Sequence, residues 1–536
     1  MRGGKYQYIL ILSVLVFILC NIVPISGETG SSGIGSSGVP FEIFLGRKLF
    51  SEGKYEEAAK LFEVARERGQ ASGKDLALLG ISYYRMGDAE KAEGLLNEAK
   101  ERYPEEPLVY VGYGYIAFGK KDFKGALGLF RKAEELAPAL PEAKNGIVAS
   151  YINLGVAAYS KGKPDEAEKY FKKALTEKPD SAEALTNIGI LKLDRGKLDE
   201  AIDYFNRAHK YKPGDARILK LLAEALKERD GYKGKELLFV AERLSKANPY
   251  DPYPYEVMGR IYELKGEAEK ALGAFSEAYK RGSEDPYVYY WLARYRYRKG
   301  EREKAASLLY LAVGKAVHRI GAIQVGAARR IQAKKGKLGK EDIKALKKYS
   351  QLVEEPKSIL ENSLELLEKV RGSKETFERD MQKLTSWYPH SVDIQVEYGK
   401  LLEREGKWEK AVSLWQDVAE KHPYNTEAHL GLARSYEKLG DTSGAILECK
   451  KAIDTDDKNA ESYDLLIRLY CNYGSKAKYD ELVSFLNDRF EINKYNEVLI
   501  KALIKAYEKG YGGAGRNVKA EAMREWLKHV EGFKKK

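Results

Sequence analysis

Hydrophobic and small residues recur along this chain with a period of about 34 residues, the offset between Gly155 and Gly189. The period is clearest between Tyr151 and Asp215, where the second half of the stretch repeats the first. A fixed period of this length predicts a repeat architecture, because each repeat is one supersecondary unit that stacks on its neighbours. The positions that recur with the same residue type are Gly155 and Gly189, Gly162 and Gly196, Ala167 and Ala201, Phe171 and Phe205, Ala174 and Ala208, and Pro179 and Pro213.

Each unit is predicted to fold as two short antiparallel helices. Small residues at Gly155 and Ala167 allow the two helices to cross closely, and Phe171 fills the seam between them. Gly162 closes the turn between the helices, and Pro179 ends the second one because proline disfavours helical backbone at the residue before it. This pattern resembles the tetratricopeptide repeat (TPR), a helix–turn–helix unit. The resemblance implies an all-α fold, a TPR α-solenoid that winds as a right-handed superhelix of helical hairpins.

The same register can be followed along most of the chain. The step from Gly114 to Gly155 is longer than the period by about two helical turns. Since an insertion of whole turns keeps the faces of a helix in phase, we predict one extended first helix from Pro141 to Ser160. A single repeat cannot bury its apolar face alone, so we expect about 10–12 repeats in all, with a helical insertion among them.

The expected domain organisation has five segments. It comprises a signal peptide or N-terminal membrane anchor at 1–27, a Gly/Ser linker at 28–39, a first TPR array at 40–317, an irregular basic helical insertion at 318–390, and a second TPR array with a C-terminal capping helix at 391–536. The insertion carries a local charge of +8 between Arg319 and Lys348. It is interpreted either as a docking site for phosphate, anionic glycan or anionic lipid, or as a solvated insertion.

The N-terminal segment predicts export from the cytoplasm. Arg2 and Lys5 precede an apolar run from Tyr8 to Ile25, and small residues follow it. The run is near the lower limit of about 17 residues for a membrane-spanning helix, so a cleaved signal and an uncleaved anchor are both open. The two positive charges before the run favour an extracytoplasmic location, either membrane-anchored or secreted and periplasmic.

Composition adds little to this picture. The chain has 536 residues and a net charge of +12, which suits acidic partners but also results from lysine on solvated helix faces. Three cysteines exclude a disulfide framework, and Cys449 and Cys471 are expected to be buried free thiols. The alternative is a single disulfide between them that bridges neighbouring repeats. Aromatic residues do not interleave with the basic segment, so no nucleic acid partner is expected.

The sequence contains no motif for catalysis or for metal and cofactor binding. No two of its six histidines have the spacing of a zinc-binding helix, and neither a phosphate-binding loop nor a Cys-x-x-Cys pair occurs. We therefore expect a protein that is not an enzyme and that has no catalytic residue, no metal site and no cofactor.

The resemblance to TPR proteins implies a concave groove lined by the first helices. The positions that face such a groove are apolar in units two to five, at Ile81, Tyr84, Tyr115, Phe118, Ile152, Val156, Tyr159, Ile190 and Leu193. In the later units they are basic or aromatic, at Arg260, Tyr290, Arg294, Tyr297, Lys400 and Arg434. Either the groove is a two-part surface for a partner, or its apolar half packs inside the superhelix.

These observations together predict a non-catalytic protein–protein interaction scaffold outside the cytoplasm. It would bind a partner protein or peptide in the concave groove and assemble a cell-envelope complex, with its N-terminal segment at the membrane. The alternative is a scaffold for export or binding of an acidic polysaccharide, in which the basic half of the groove and residues 318–348 would follow an acidic glycan.

Overall fold

The computed structural model describes residues 40–333, 340–472, 475–509 and 515–534. Within these ranges the chain forms 26 helices and no strand, which confirms the predicted all-α fold. The helices divide between two compact units. One ends at Ser283 and the other begins at Glu284, except that residues 340–347 group with the first unit.

The first unit consists of seven consecutive helical hairpins. Their helices are α1 (Phe41–Ser51), α2 (Tyr55–Glu67), α3 (Gly73–Arg85), α4 (Ala89–Arg102), α5 (Pro107–Gly119), α6 (Phe123–Leu136), α7 (Pro141–Ser160), α8 (Pro164–Glu177), α9 (Ala182–Asp194), α10 (Leu198–Tyr211), α11 (Ala216–Asp230), α12 (Lys235–Ala247), α13 (Tyr253–Leu264) and α14 (Ala268–Lys280).

The second unit begins with a hairpin, continues with longer helices and returns to hairpins. Its helices are α15 (Pro286–Arg298), α16 (Arg302–Ala333), α17 (Lys340–Arg371), α18 (Lys374–Trp387), α19 (Val392–Arg404), α20 (Trp408–Lys421), α21 (Thr426–Leu439), α22 (Thr442–Thr455), α23 (Ala460–Asn472), α24 (Lys476–Ile492), α25 (Glu497–Lys509) and α26 (Gly515–Lys534).

In six of the seven hairpins of the first unit, the two helices approach each other through a glycine. A Cβ atom added at Gly155 would lie 2.5 Å from the ring of Phe171, and one at Gly189 would lie 2.6 Å from the ring of Phe205. Both rings are fully buried, so they cannot move aside. The recurring glycine and phenylalanine therefore set the distance between the helices, as the sequence predicts.

The turn inside the hairpin also depends on glycine. Gly162 has a φ of +74° and Gly196 a φ of +72°, a left-handed conformation that glycine adopts at no steric cost. In the third hairpin Lys121 adopts the same conformation, with a φ of 61°.

The extended first helix is confirmed as α7, which spans Pro141–Ser160. Its first half packs on the preceding hairpin, since a Cβ at Gly146 would lie 2.5 Å from the ring of Phe130. Its second half packs on its own partner helix through Gly155. In a first helix of ordinary length, the contact with the preceding hairpin and the contact with the partner helix lie within one turn of each other. The two added turns of α7 separate these two contacts.

The described residues of 318–390, predicted to be an irregular insertion, lie within the end of α16, in α17 and α18, and in the connection to α19. Arg371 at the end of α17 joins these helices. Its Nε lies 2.7 Å from Asp380 of α18, its Nη1 lies 3.1 Å from Glu303 of α16, and its Nη2 donates to the Tyr310 hydroxyl at 3.2 Å.

No helix in the described part of the chain combines the length and the apolar character that crossing a bilayer requires. The predicted signal or anchor at 1–27 and the linker at 28–39 lie outside the described residues. Cys449 and Cys471 are free thiols, as expected. Cys449 is buried, which raises its pKa to about 12, whereas Cys471 is only partly buried.

The seventh hairpin offers a test of the glycine contact. A Cβ at Gly259 would lie 2.6 Å from the buried ring of Phe275, whereas the exposed Gly273 on α14 has nothing within 4 Å. We expect Gly259→Ala to lower the free energy of unfolding by about 1–3 kcal/mol through overpacking. Gly273→Ala should raise it by about 0.5–1 kcal/mol, because alanine favours the helix. Urea unfolding followed by circular dichroism measures both, and an equal effect of the two changes would contradict the contact.

Candidate functional site

The first helices of consecutive hairpins pack directly on one another in the first unit. Ile81 of α3 lies 3.3 Å from the place where a Cβ would stand at Gly112 of α5. A side chain at this central position of the face is therefore covered by the next first helix. This geometry determines which of the predicted groove residues remain accessible.

Most of the predicted apolar half of the groove lies in the hydrophobic core. Tyr84 and Phe118 are partly buried. The other seven residues are buried, with Ile81 and Tyr115 in one cluster and Ile152, Val156, Tyr159, Ile190 and Leu193 in another. The structure brings these residues together as core packing, which is the alternative interpretation given above. Their use as a binding surface stays a prediction.

Two tyrosines of this set make specific contacts. Tyr159 of α7 donates a hydrogen bond to the carboxylate of Asp194 at the end of α9. Burial raises the pKa of Tyr159, and the neighbouring carboxylate raises it further. The ring of Tyr115 packs edge-on against Phe130, with 5.6 Å between the ring centroids. These contacts join α7 to α9 and close the hairpin of α5 and α6.

The six residues predicted for the basic and aromatic half are partly buried, and each has neighbours within its own unit. In the first unit, the guanidinium of Arg260 lies 5.4 Å from the ring centroid of Tyr232. In the second unit, that of Arg294 lies 5.6 Å from the ring centroid of Tyr290. Tyr290 and Tyr297 pack against the hydrophobic core of the second unit.

The remaining two cations of this set are ion-paired. Arg434 of α21 has carboxylates of three glutamates around it, at 2.7 Å from Glu403, 2.8 Å from Glu427 and 2.8 Å from Glu461. Lys400 is paired with a glutamate of its own helix at 2.9 Å. Acidic residues of the same and neighbouring hairpins thus neutralise positions that are basic in the sequence.

A small pocket lies between the first helices α7, α9 and α11 of the first unit. Its volume is about 50 Å³. It combines two of the predicted apolar groove residues with polar groups that the sequence analysis did not select. Its lining includes Ile152, Asn153, Val156, Glu183, Thr186, Asn187, Lys212, Asp215, Arg217 and Ile218.

Arg217, the second residue of α11, is the unusual group of this pocket. Its Nε and Nη2 atoms are buried, and no acceptor in the described part of the chain lies within hydrogen-bond reach of them. Burial lowers the pKa of its guanidinium. The nearest carboxylates have other partners: Glu183 pairs with Lys212, and Asp215 accepts from the backbone N–H groups of Arg217 and Ile218.

Part of this pocket was detectable in the sequence. Asn153 and Asn187 are one period apart, so an asparagine recurs at one position of the face in consecutive repeats. Arg217 has no such signal, because the positions one and two periods before it hold Glu183 and Ala149. Its importance comes from burial without a partner, which only the packing of three helices produces.

The second unit contains a buried histidine–glutamate pair. His429 of α21 lies with Nδ1 2.6 Å from a carboxylate oxygen of Glu448 and Nε2 3.1 Å from the carbonyl oxygen of Pro423. An ionised Glu448 and the Pro423 carbonyl are both acceptors, so this geometry favours the imidazolium form of the ring, in which both nitrogens donate. The hydrogen bond to Glu448 raises the pKa of His429. Burial alone would raise the pKa of Glu448, but hydrogen bonds from His429 and Lys451 lower it.

Comparison with known proteins identifies the repeats. Family models described as tetratricopeptide repeat match residues 49–110, 105–176, 158–225, 258–316 and 402–469. The matched ranges cover more than half of the chain. This chain belongs to the tetratricopeptide repeat family. TPR solenoids present extended surfaces that bind protein or peptide partners, and the chain is an interaction scaffold of this type.

Curated relatives of this TPR protein are similar over short stretches. The chain is 27% identical over 147 residues to anaphase-promoting complex subunit 6 of Arabidopsis thaliana, covering 27% of this chain and 26% of the relative. It is 29% identical over 104 residues to photosystem I assembly protein Ycf3 of Synechococcus elongatus, covering 18% of this chain and 60% of the relative. The chain therefore matches about a quarter of the first relative's length and three fifths of the second's.

Solved structures share the repeat at lower identity. Pseudomonas aeruginosa pilF is 19% identical, and the match covers 42% of this TPR chain and 96% of that chain with a TM-score of 0.33. A likeness of this degree carries no inference about function.

The His429–Glu448 pair predicts a pH-dependent stability of the TPR chain. The raised pKa of His429 contributes stability that is complete below the ordinary histidine pKa of 6.5 and is lost as pH rises through the raised value. The lowered pKa of Glu448 contributes stability that is present above the ordinary glutamate pKa of 4.5 and is lost as pH falls through the lowered value. His429→Gln should therefore lower Tm most between these two ordinary values.

Melting curves of the wild type and His429→Gln, recorded from the ordinary glutamate pKa to pH values above the raised histidine pKa, provide the measurement, with His390→Gln at an exposed histidine as the control. The difference caused by His429→Gln should shrink above the raised histidine pKa. A difference that is constant with pH would show that the ring is neutral in the folded chain.

Proposed function

We propose that this TPR protein is a non-catalytic scaffold outside the cytoplasm. It binds a partner protein or peptide on the first-helix face of its first unit, and through that contact it assembles a cell-envelope complex. The pocket between α7, α9 and α11 carries this proposal, because the Nε and Nη2 atoms of Arg217 are buried there without a hydrogen-bond partner among the residues that the structure describes.

Polar groups of a partner would supply the hydrogen-bond acceptors that the chain does not offer to Arg217. A buried charge that lacks a hydrogen-bond partner costs free energy in the isolated protein, and a ligand that pairs with it recovers that cost. The names of the two curated relatives support an assembly role, since one is a subunit of the anaphase-promoting complex and the other is an assembly protein of photosystem I.

The polysaccharide alternative loses one of the two observations that favoured it. That alternative uses an open basic groove in the later repeats together with the basic segment at 318–348. Arg434 is surrounded by Glu403, Glu427 and Glu461, and Lys400 is also paired, so these cations are not free to follow an acidic polymer. A protein partner with localised polar groups suits the first unit better.

The extracytoplasmic location rests on the sequence pattern alone. The charges at Arg2 and Lys5, the apolar run from Tyr8 to Ile25 and the Gly/Ser stretch at 28–39 motivate it. In this proposal the segment at 1–27 is a cleaved signal or a membrane anchor, and the repeats act beyond the membrane.

Site-specific photo-crosslinking tests the binding face. Glu183 lines the pocket with its side chain 27% exposed, so a benzoylphenylalanine placed there is accessible to a bound partner. We expect illumination of intact cells to give a discrete adduct at position 183 whose partner mass spectrometry identifies.

The matched control is the same substitution at Arg207, which is exposed on the second helix α10 and does not line the pocket. Position 207 should give no adduct with the same protein. Adducts of equal yield at both positions, or none at position 183, would exclude the pocket face as the binding surface.

A reporter fusion tests the location. Alkaline phosphatase fused to the C terminus is active only where its disulfides form, which excludes a reducing cytoplasm. We expect activity from the full chain and its loss when residues 1–27 are deleted. Activity that is absent from the full-length fusion, with the fusion protein present in the cell, would place the repeats in the cytoplasm.

A further inference from the structure

One face of the first helix, α1, exposes two aromatic rings. Phe41 is 71% exposed and Phe44 is 64% exposed. They lie five and two residues before Gly46, the glycine that faces the ring of Phe62 within the first hairpin. Residues three or four apart lie on the same side of a helix, so the exposed Lys48 belongs to this side as well. Phe41, Phe44 and Lys48 form what we call the α1 face.

The positions of the two phenylalanines are buried in the six later hairpins of the first unit, when the first helices are aligned on the small residue at the helix crossing. The position of Phe41 is occupied there by Asp75, Val109, Ser150, Ala184, Ile218 and Pro254. The position of Phe44 is occupied by Leu78, Gly112, Asn153, Asn187, Leu221 and Val257. Exposure at these two positions is therefore particular to α1 within the unit.

The preceding hairpin is what covers these positions. A Cβ at Gly112 would lie 2.6 Å from Leu96 of α4, the second helix of the hairpin before it. In the second unit, a Cβ at Gly431 would lie 2.2 Å from Trp415 of α20, again the preceding second helix. Among the described residues no helix precedes α1. The α1 face therefore lacks, within the described part of the chain, the contact that each later first helix of its unit makes.

The last described helix does not share this property. The exposed side chains of α26 include the charged residues Glu521, Arg524, Glu525 and Lys528. Terminal repeats of solenoids need a polar outer face for solubility, and α26 meets this requirement. The α1 face does not meet it, so we expect another molecule to cover its two rings.

The charges around the α1 face suit a phospholipid surface. The two carboxylates nearest in sequence are ion-paired, Glu42 with Arg68 at 2.6 Å and Glu52 with Lys54 at 2.9 Å. Lys48 is the exposed cation of the face itself. A helix side that combines aromatic rings with lysine is typical of helices that lie in a membrane interface, because the rings enter the acyl boundary while the amine stays at the phosphates.

The area of the α1 face is too small for a stable protein interface. Two phenylalanine rings that are about two-thirds exposed offer at most about 350 Å². Stable protein interfaces bury about 800 Å² on each partner. A bilayer requires less area if the chain is tethered to it. The run from Tyr8 to Ile25 is a predicted anchor, and a Gly/Ser stretch of the length of residues 28–39 spans about 20 Å on average.

We propose that the α1 face docks on the surface of the membrane in which residues 1–27 are anchored. Phe41 and Phe44 enter the boundary between headgroups and acyl chains, and Lys48 lies at the lipid phosphates. Two rings bind a bilayer only weakly, but the anchor supplies the second attachment that makes the contact stable. The proposal rests on the membrane-anchor form of the proposed function, and it adds a membrane contact made by the first hairpin itself.

Photo-crosslinking identifies what covers the α1 face. Benzoylphenylalanine replaces Phe44 in the full chain, and the matched control carries it in place of Phe239, which is 57% exposed on α12. Cells grow with radioactive glycerol, so that a lipid adduct brings label into the band of the single chain on a denaturing gel. We expect at least about fivefold more label at position 44 than at position 239, because only position 44 lies in the bilayer interface.

The other outcomes overturn the proposal. Equal label at the two positions would mean that the bilayer does not contact the α1 face specifically. A band of twice the chain's mass would identify a second copy as the occupant, and a band that contains another protein would identify a protein partner. Lys48→Glu should lower the label at position 44, because a carboxylate is repelled by lipid phosphates. Unchanged label in this variant would overturn the role of Lys48.

Cell fractionation separates this inference from the proposed function. A chain that sediments with the membrane but takes up no lipid label at position 44 overturns only the docking of the α1 face. A chain that is released from the membrane without residues 1–27 overturns the docking through the loss of its anchor. An inactive alkaline phosphatase fusion overturns the proposed location as well.

A stability measurement tests independently whether the chain itself covers the α1 face. Phe44→Ser removes an exposed ring, whereas Leu78→Ser changes a residue that is 2% exposed at the same position one repeat later. We expect Leu78→Ser to lower Tm of the full chain by several degrees and Phe44→Ser to leave Tm nearly unchanged. Equal losses would show that the folded chain buries Phe44 and would overturn the proposal.

Discussion

Many hairpins depend on the close approach of a side chain on the second helix to a glycine on the first, most often the approach of an aromatic ring. Trp415 shows how strict this contact is, because its fully buried ring lies against both Gly399 of its own hairpin and Gly431 of the next. A Cβ at Gly431 would stand 2.2 Å from that ring. One aromatic side chain therefore fixes the helix crossing within a repeat and the stacking of one repeat on the next, because close-packed interiors do not deform to admit extra atoms.

The same close stacking determines what the binding face can offer. First helices of neighbouring hairpins lie so near one another that central positions such as Ile81 and Ile190 are covered. Apolar residues there contribute to the free energy of folding and present no surface to a partner. In the proposed function, recognition depends on groups at the edges of the first helices, where the pocket between α7, α9 and α11 combines apolar and polar side chains.

Contacts within each unit also determine which charged groups a partner can meet. Several basic residues of the first-helix face are balanced within the chain, as Arg434 is by three glutamates and Arg85 by two aromatic rings. The net charge of the sequence therefore does not predict the electrostatic potential at the surface that a partner contacts. The informative residue is Arg217, because its Nε and Nη2 atoms are buried without an acceptor among the described residues.

The sequence by itself determined the all-α hairpin repeat, its period and even the bounds of the extended helix α7. Glycine, alanine and phenylalanine at fixed spacing act locally, within one hairpin or between adjacent ones, so their consequences can be predicted from order along the chain. Only the tertiary structure decided that residues such as Val156 are buried, that Arg434 is neutralised and that Arg217 is not. The burial and ion pairing of a side chain depend on its distances to side chains of neighbouring repeats. The period of the sequence does not specify those distances.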